Sequence, residues 1–343
     1  MSIHDIFSAQ AEACTSLGSP FMGQLMALFS KRLESGHVVA DHLMNWPGNP
    51  EIFADNAPLR LAGALHAIVL NGGELARSYP PHKVDDDALW ANVNTAIHDH
   101  TDHIMRWLRF APQTNEVRRS AAILAAMSFL QERSDTAFEL FELGCSGGLN
   151  LRAEQFALTT PVGTIGRHNS LVELKPDWSG EAPANCEPVV IGRNGVDLNP
   201  LDPANADDAL RLLAYLWPDQ PDRLSRTRSS IEIASNNPAS LAKADAASWL
   251  ERALEVEPRS QRLVFHTVAY QYFPETTKRR VEAALEKAGS KATHDLPLSR
   301  LSMEADGGIG AALTLTRWPD GQTISLGRAD FHGRWINWKP ESL

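Results

Sequence analysis

The stretch Ala137-Phe-Glu-Leu-Phe-Glu-Leu-Gly-Cys-Ser-Gly-Gly-Leu-Asn-Leu151 decides the fold, because it joins three local patterns. Phe138–Leu143 is a short apolar run typical of a buried strand. Residues 144–148, the glycine loop, then break the run, and residues 149–158 predict a helix. In α/β folds, a strand, a glycine-rich loop and a helix in this order present bare backbone amides to a ligand. The stretch therefore predicts an α/β ligand site.

The glycine loop fails one known pattern and fits two others. The dinucleotide fingerprint G-x-G-x-x-G fails, because Ser146 and Leu149 occupy two of its glycine positions. The nucleophile elbow G-x-S-x-G of serine hydrolases fits, with Ser146 as the nucleophile. An acid followed by G-x-small-x-G also fits, with Glu142 as the acid and Gly144, Ser146 and Gly148 in the loop. The remainder of the chain has to decide between the last two patterns.

Residues 1–112 predict a helical domain. Apolar residues recur at helical spacing, as in 21–33, and nothing before residue 137 has the pattern of a strand. A long helix is expected over 85–110, and its face at 98–103 reads His-Asp-His-Thr-Asp-His, for which we expect no bound metal. A hydrolase elbow lies deep in a sheet with several strands before it. The lack of earlier strands therefore counts against the hydrolase pattern.

Residues 113–343 predict an α/β domain in which strands alternate with helices. Such alternation implies a parallel sheet that is covered by helices on both faces. The chain ends with strands of alternating polarity, and residues 311–327 predict an antiparallel hairpin. An inserted hairpin is expected over 163–193, formed by strands at 170–174 and 188–191.

Composition and charge narrow the classes of molecule that are expected as binding partners. The 343 residues carry a formal charge of −10, which argues against a broad surface for nucleic acid or for anionic membranes. The three cysteines are far apart and include no C-x-x-C pair, so we expect neither a disulfide framework nor a cysteine zinc site. The first residues lack a signal-peptide pattern, and no apolar run reaches membrane-spanning length. The sequence predicts a protein of the reducing cytoplasm whose partner is a small molecule or a protein.

Two later acids agree with the acid-and-glycine pattern. Gly195-Val-Asp-Leu-Asn-Pro200 places Asp197 at a strand end, and Lys243-Ala-Asp245 precedes a helix. With the glycine loop, these segments resemble class I S-adenosylmethionine-dependent methyltransferases. The resemblance implies a doubly wound sheet with a C-terminal antiparallel hairpin and S-adenosylmethionine as cofactor. It also implies that the loop holds the methionine end, that Asp197 bonds the ribose hydroxyls and that Asp245 lies near the adenine.

The resemblance and the strand ends together define candidate site residues. Those expected at the cofactor are Glu142, Gly144, Cys145, Ser146, Gly148, Asn150, Asp197 and Asp245. His266 and Tyr270 lie at the C-terminal end of the expected fourth strand, residues 262–273, and are the catalytic candidates, since a histidine accepts a proton near neutral pH. The expected acceptor-binding residues are Gln113, Asn115, Glu116 and Tyr272. Simpler roles stay open: Asp197 as a turn cap, Asp245 as a helix cap and His266 as a core histidine.

A second and closer resemblance covers most of the chain. Similarity to a bacterial family of uncharacterised proteins is carried by segments 112–117, 142–150, 195–202, 217–220 and 264–266. It implies that the helical and α/β domains belong together, and it brings no known reaction. Three functions therefore stay open: a methyltransferase of unknown acceptor, a ligand-binding protein without catalysis on the same fold, and a serine hydrolase that uses Ser146.

Overall fold

The computed structural model describes residues 1–52 and 54–342. Its backbone divides into two compact units. The first comprises Met1–Thr114 and Ala206–Thr227, and the second comprises Asn115–Asn205 and Arg228–Leu343. The change of unit after Thr114 lies close to the boundary that the sequence suggests. The sequence places 206–227 in the α/β domain, whereas the contacts of this segment group it with the first unit.

The helices begin and end at ordinary capping and breaking residues. Ser2 and Asp5 form a capping box at the first helix, and Pro20 starts the second. The helices are α1 (Ile3–Ser16), α2 (Pro20–Arg32), α3 (Val38–Met44), α4 (Ala57–Leu70), α5 (Asp86–Asp99), α6 (Thr101–Trp107), α7 (Ser120–Gln131), α8 (Ala206–Ala214), α9 (Pro221–Asn236), α10 (Ala246–Glu255) and α11 (Glu275–Gly289). No described residue before Phe138 lies in a strand, which confirms the prediction of a helical N-terminal region. The helix expected over 85–110 is two helices, α5 and α6, which are separated at His100.

The strands all belong to the second unit. They are β1 (Phe138–Leu143), β2 (Ala157–Thr160), β3 (Gly163–Gly166), β4 (Glu173–Leu174), β5 (Asp177–Ser179), β6 (Val190–Asp197), β7 (Ser240–Lys243), β8 (Gln261–Thr267), β9 (Leu298–Ala305), β10 (Ala311–Trp318), β11 (Gln322–Ala329) and β12 (Trp335–Trp338). The main sheet has nine strands in the order β5-β12-β11-β10-β9-β8-β1-β6-β7, and a small sheet has the order β3-β2-β4.

The parallel centre of the main sheet positions the site. Its strands lie in the order β7-β6-β1-β8-β9, which is 3-2-1-4-5 when these strands are counted along the chain. The order reverses between β1 and β8, and in doubly wound sheets a ligand binds at the carboxyl ends of the strands beside such a reversal. Beyond β9 the sheet continues as antiparallel β10, β11 and β12, which confirms the expected C-terminal hairpin.

Both faces of the sheet are covered, as the alternation of strands and helices predicts. Phe138 and Leu140 of β1 belong to an apolar cluster with the buried side chains of α7. Phe141 and Leu143, which point to the other face, belong to a cluster with residues of α10 and α11. A strand with helices on both sides reads as a continuous apolar run, which is why β1 shows no polar alternation.

The chain after the glycine loop differs from the prediction. Residues 149–158 are not one helix: a 3-10 helix covers Leu149–Gln155, with a break at Arg152, and β2 follows. The Arg152 guanidinium donates to Gly148 O at 2.6 Å, the carbonyl that an α-helix would give to the Arg152 amide. The hairpin in this region pairs β2 with β3, and residues 190–197 instead form the second parallel strand of the main sheet.

Candidate functional site

The glycine loop turns back over the end of β6. Gly144, Ser146 and Gly148 have positive φ angles of 74°, 51° and 61°. The Gly144 and Cys145 amides donate to Val196 O at 2.9 and 3.0 Å. The reversal depends on left-handed backbone, which glycine adopts at little cost and which strains a serine. The loop therefore lies beside the carboxyl end of the neighbouring strand.

Asp197 ends β6 and bonds directly to the glycine loop. Its Oδ2 accepts from the Ser146 amide and its Oδ1 from the Asn199 amide, both at 2.9 Å. The carboxylate is half-buried, and each oxygen keeps a further lone pair for another donor. The structure thus brings together the loop and the acid that sequence analysis assigned to one site.

A buried polar layer lies under the loop. Asn115 Oδ1 accepts from the Leu149 amide at 2.9 Å, and Ser120 Oγ donates to Asn150 Oδ1 at 2.8 Å. The Asn150 side chain also bonds Glu142. Asn115 and Asn150, expected at the acceptor and the cofactor, therefore hold the start of the 3-10 helix in place.

Among the residues that the structure describes, two buried oxygens at the loop lack a hydrogen-bond partner. They are Glu142 Oε2 and Ser146 Oγ, on residues that are only 2% and 6% exposed. Burial raises the pKa of Glu142 well above its usual range, while the positive charge of Arg152 opposes this shift. Buried polar atoms in proteins nearly always have a partner, which can be a bound water or ligand. These two oxygens are therefore the acceptors at the loop to which a bound water or ligand would donate.

Two arginines border the loop from different elements. Arg152 is almost fully buried and donates to Asn237 O at 2.9 Å as well as to Gly148 O. Burial, with a further contribution from Arg193, lowers the pKa of Arg152 to about 10, so it remains charged at neutral pH. Arg119 donates from Nη1 to Thr267 O at 3.0 Å, at the end of β8.

Cys145 lies in the interior beneath the loop. It is fully buried, and burial raises the pKa of its thiol, with the nearby Glu142 adding to the effect. A Cβ placed on Gly195 would come within 2.8 Å of its sulfur, so this glycine allows β6 to approach the loop. Cys145 therefore contributes packing, and its thiol is not exposed to a ligand.

His266 is fully buried in the sheet rather than exposed at its edge. Its Nδ1 lies 2.8 Å from Glu304 Oε1, and its Nε2 lies 3.1 Å from Arg300 Nε. Since the Arg300 nitrogen can only donate, Nε2 accepts and Nδ1 carries the proton. Burial lowers the pKa of His266, which favours this neutral form. Both ring nitrogens are engaged, which favours the role of a hydrogen-bonded core histidine.

The two tyrosines after β8 have different surroundings. Tyr270 stacks on His266 with ring centroids 4.5 Å apart, and its hydroxyl donates to Glu282 Oε1 at 2.8 Å. Burial raises the pKa of Tyr270. Tyr272 is 75% exposed, whereas residues 268–271 are half-buried.

Asp245 caps α10 at the end of the neighbouring strand β7. Its Oδ1 accepts from the Ser248 amide at 2.9 Å, and its Oδ2 accepts from Thr277 Oγ1 at 3.2 Å. The bond from the Ser248 amide is the main cause of its lowered pKa. The residue just after β7 is also tied to the end of β6, because the Ala244 amide donates to Asp197 O at 3.1 Å. Asp245 therefore acts as a helix cap, and the residue before it contacts Asp197.

Glu116 and Gln113 belong to different units. Glu116 is buried in the second unit and accepts from the Arg118 amide at 3.2 Å, which caps the 3-10 helix Val117–Arg119. Gln113 is half-buried and lies in the first unit, next to Thr114, where the first segment of that unit ends.

Sequence reasoning missed Arg119, Arg152 and Glu304. Glu304 stands near the end of strand β9 and carries the same signal that selected Asp197, an acid that closes an apolar run. The arginines carry no comparable signal, because their positions beside the loop depend on tertiary contacts.

No metal site appears among residues 1–52 and 54–342, where no three His, Cys, Asp or Glu side chains are placed to hold an ion. The histidines of 98–103 separate from one another. The His98 ring packs on His37 with centroids 4.1 Å apart, and His103 Nε2 lies 3.1 Å from Ala64 O.

Comparison with known proteins places the chain in a family. Residues 4–338 match the model of a family described as "uncharacterized protein conserved in bacteria (DUF2332)". The chain belongs to this family. No curated protein and no solved structure matches it. In the described part of the chain, no helix has both the length and the apolar character needed to cross a membrane.

Proposed function

We propose that the second unit binds S-adenosylmethionine at the glycine loop and transfers its methyl group to a small molecule or a protein. The observation that carries this proposal is the 2.9 Å bond between the Ser146 amide and the Asp197 carboxylate. It joins the acid-and-glycine loop of β1 to the acid of β6, at the carboxyl ends of neighbouring parallel strands. A ligand that carries hydroxyl or amino donors finds carboxylate and hydroxyl acceptors there.

The strand order supports the same proposal. The order 3-2-1-4-5 of the parallel strands is the order of doubly wound nucleotide-binding sheets, and the loop lies beside the reversal between β1 and β8. The main departure is at the other end of the sheet, where β9 to β12 form an antiparallel meander. The methyltransferase-like fold is thus proposed for the parallel centre of the sheet and its loops.

The residues present fit an adenosyl cofactor. Glu142 Oε2 and Ser146 Oγ are buried acceptors without a partner, as a site for a polar ligand requires. Asp197 keeps lone pairs for two neighbouring hydroxyls, as a ribose presents them. Gly144 has a different role from the one expected. A Cβ there would lie 2.7 Å from the Ala269 Cβ, so the space is filled by protein rather than by ligand.

The chain's own residues would act by binding and orientation. When bound, the cofactor supplies an activated methyl group. Asp197 would bond the ribose hydroxyls, and Glu142 Oε2 and Ser146 Oγ would accept from the polar end of the cofactor. Tyr272, exposed at the end of β8, would contact the acceptor and align its reacting atom, since alignment alone accounts for much of the rate of such transfers.

The serine hydrolase alternative has less support. A nucleophilic serine needs a general base within hydrogen-bonding distance. No described residue is a hydrogen-bond partner of Ser146 Oγ, and β1 is the first strand of the sheet along the described chain. A serine-reactive phosphonate probe tests this alternative directly, and covalent labelling at Ser146 would favour it over methyl transfer.

Calorimetry with S-adenosylhomocysteine, the product form of the cofactor, tests the proposal. We expect the wild-type protein to bind and Asp197→Asn to bind about ten- to a hundredfold more weakly, the factor for a lost charge-assisted hydrogen bond. Asp306→Asn is the matched control, because Asp306 also follows a strand but pairs with Arg328. Its affinity should equal that of the wild type.

Two results would contradict the assignment: a folded wild-type protein that shows no binding at millimolar ligand, or an Asp197→Asn variant that binds as tightly as the wild type. Circular dichroism of each variant separates loss of binding from loss of fold. This control is needed because Asp197 also holds the backbone of the loop.

A further inference from the structure

The turn after β8, residues 268–272, is held by an unusually complete set of hydrogen bonds. Glu304 Oε1 accepts from the Ala269 amide at 3.1 Å and from the Tyr270 amide at 3.0 Å, and Oε2 accepts from the Gln271 amide at 3.3 Å. The Gln271 side chain in turn accepts from the Ala305 amide at 3.0 Å. One carboxylate at the end of β9 therefore fixes successive amides of the turn after β8.

These bonds belong to a closed circuit of side chains. Glu304 also bonds His266, His266 bonds Arg300, and Arg300 makes a two-point ion pair with Glu282 at 2.6 and 2.8 Å. Glu282 accepts from the Tyr270 hydroxyl, and the Tyr270 amide returns to Glu304. The circuit joins β8, β9, α11 and the turn. The members of the circuit support one another, because each hydrogen bond orients the side chain that makes the next one.

The turn carries strain that this circuit maintains. Val268 has a φ of 52°, a conformation that a β-branched residue adopts only when its surroundings impose it. The Val268 amide donates to Met303 O at 2.8 Å, and the Glu304 bonds begin at the next residue. Ala269 is thereby placed against Gly144, where its Cβ occupies the space beside the glycine loop.

We propose that Glu304 is a positioning residue of the cofactor site, which acts through the turn 268–272 on the glycine loop. The inference rests on the proposed function for its ligand, but the contact that it requires is between two parts of the protein. Glu304 holds the turn, the turn places Ala269 against Gly144, and Gly144 begins the loop that bonds Asp197 through the Ser146 amide. Loss of the carboxylate releases the turn and leaves the loop less ordered.

Hydrogen exchange measured by mass spectrometry or NMR tests the coupling without a ligand. In Glu304→Ala we expect the amides of 269–271 and those of 144–148 to exchange roughly tenfold faster or more, the factor for one lost charge-assisted bond. Glu304→Gln should recover part of the protection, because its amide oxygen still accepts from the turn. Asp306→Asn, which removes a carboxylate outside the circuit, should leave both segments unchanged.

The same variants are then titrated with S-adenosylhomocysteine. We expect Glu304→Ala to bind about tenfold more weakly, with Glu304→Gln in between and Asp306→Asn equal to the wild type. Unchanged exchange at 144–148 in Glu304→Ala would overturn the inference, and so would faster exchange there with unchanged affinity. If the wild type binds no ligand, the proposed function fails, while the exchange data still decide whether Glu304 orders the loop.

Discussion

Two turns flank the strand reversal. Each contains a left-handed residue that is not glycine, but the buried polar side chains around them differ in how completely they are hydrogen-bonded. The glycine loop follows β1 and the turn 268–272 follows the adjacent strand β8, and each contains a non-glycine residue in left-handed conformation, Ser146 at 51° and Val268 at 52°. Around the second turn, Glu304 and His266 are fully engaged with partners within the protein. At the first, Glu142 Oε2 and Ser146 Oγ are buried without a partner.

The difference separates a supporting turn from a binding turn. A strained turn persists only when its surroundings determine it, and the circuit around Glu304 supplies this for Val268. The glycine loop is held by bonds to Val196 O, Asp197 and Asn115 and by packing against Ala269. Buried acceptors that lack partners reduce stability in the free protein, and a site can accept this cost when a ligand later satisfies them.

The largest effect is expected where the two turns touch. Gly144→Ala should destabilise the second unit by roughly 2–5 kcal/mol, since a left-handed alanine costs about 1–2 and overpacking about 1–3 kcal/mol. The clash is with the Ala269 Cβ at 2.7 Å. Chemical denaturation of wild type and variant gives the difference in the free energy of unfolding.

Ala269→Gly provides the matched test of this contact. In the double variant Gly144→Ala with Ala269→Gly, the overpacking term should disappear while the left-handed term remains. The double-mutant cycle should therefore show a favourable coupling of roughly 1–3 kcal/mol. Simple additivity of the two changes would mean that the turns do not support each other through this contact.

A smaller effect, with a defined pH dependence, is expected at Glu142. Its folded pKa is raised above the usual value of 4.5, so the folded state binds the proton more tightly than the unfolded chain. The stability that this gives is fully present below the unfolded pKa and is lost as the pH rises through the folded pKa. Glu142→Gln removes this dependence. The variant should match the wild type near about pH 4 and be more stable by roughly 1–3 kcal/mol near about pH 8.

Glu187→Gln is the control for this comparison, because Glu187 is an exposed glutamate of the same unit. Its variant should follow the wild-type stability at both pH values. If Glu142→Gln is instead less stable than the wild type at alkaline pH, the ionised Glu142 carboxylate is stabilised by hydrogen bonds that its Oε2 does not make in this structure. A more stable variant that also binds S-adenosylhomocysteine more weakly would identify Glu142 as a residue kept for binding at a cost in stability.

Sequence patterns predicted the helices and strands better than they predicted which strands pair and which segments pack together. The apolar run of β1, the helices of the first unit and the C-terminal hairpin follow from local periodicity and turn residues. The hairpin expected over 163–193 failed because strand-like residues at 188–191 pair with β1, far back in the chain, which no local pattern reveals. Segment 206–227 likewise reads as an ordinary helix, and only its contacts group it with the first unit.

Sequence patterns bring together those residues of the candidate site that lie at strand ends. Asp197 and Ser146 meet because parallel strands end at the same edge. His266 was selected by its position near the end of a strand, but the arginine and glutamate that engage its ring lie on β9, and residue type alone does not show this. Glu304 carried the same signal as Asp197, an acid that closes an apolar run.

The smallest predicted effect lies at the edge of the circuit around Glu304. Tyr270→Phe removes only the hydroxyl, which lies 2.8 Å from Glu282 Oε1 and 3.0 Å from Lys278 O. The stacking on His266 and the backbone bond to Glu304 remain. Because Glu282 keeps its two bonds from Arg300, we expect a loss of only about 0.5–1.5 kcal/mol. Tyr272→Phe, which removes an exposed hydroxyl from the same turn, should change stability by less than about 0.5 kcal/mol. Thermal and chemical unfolding of the two variants make the comparison, and exchange at 269–271 should rise less in Tyr270→Phe than in Glu304→Ala. Equal losses in the two tyrosine variants would show that the hydroxyl of Tyr270 lies outside the circuit, and that Glu304 alone holds the turn.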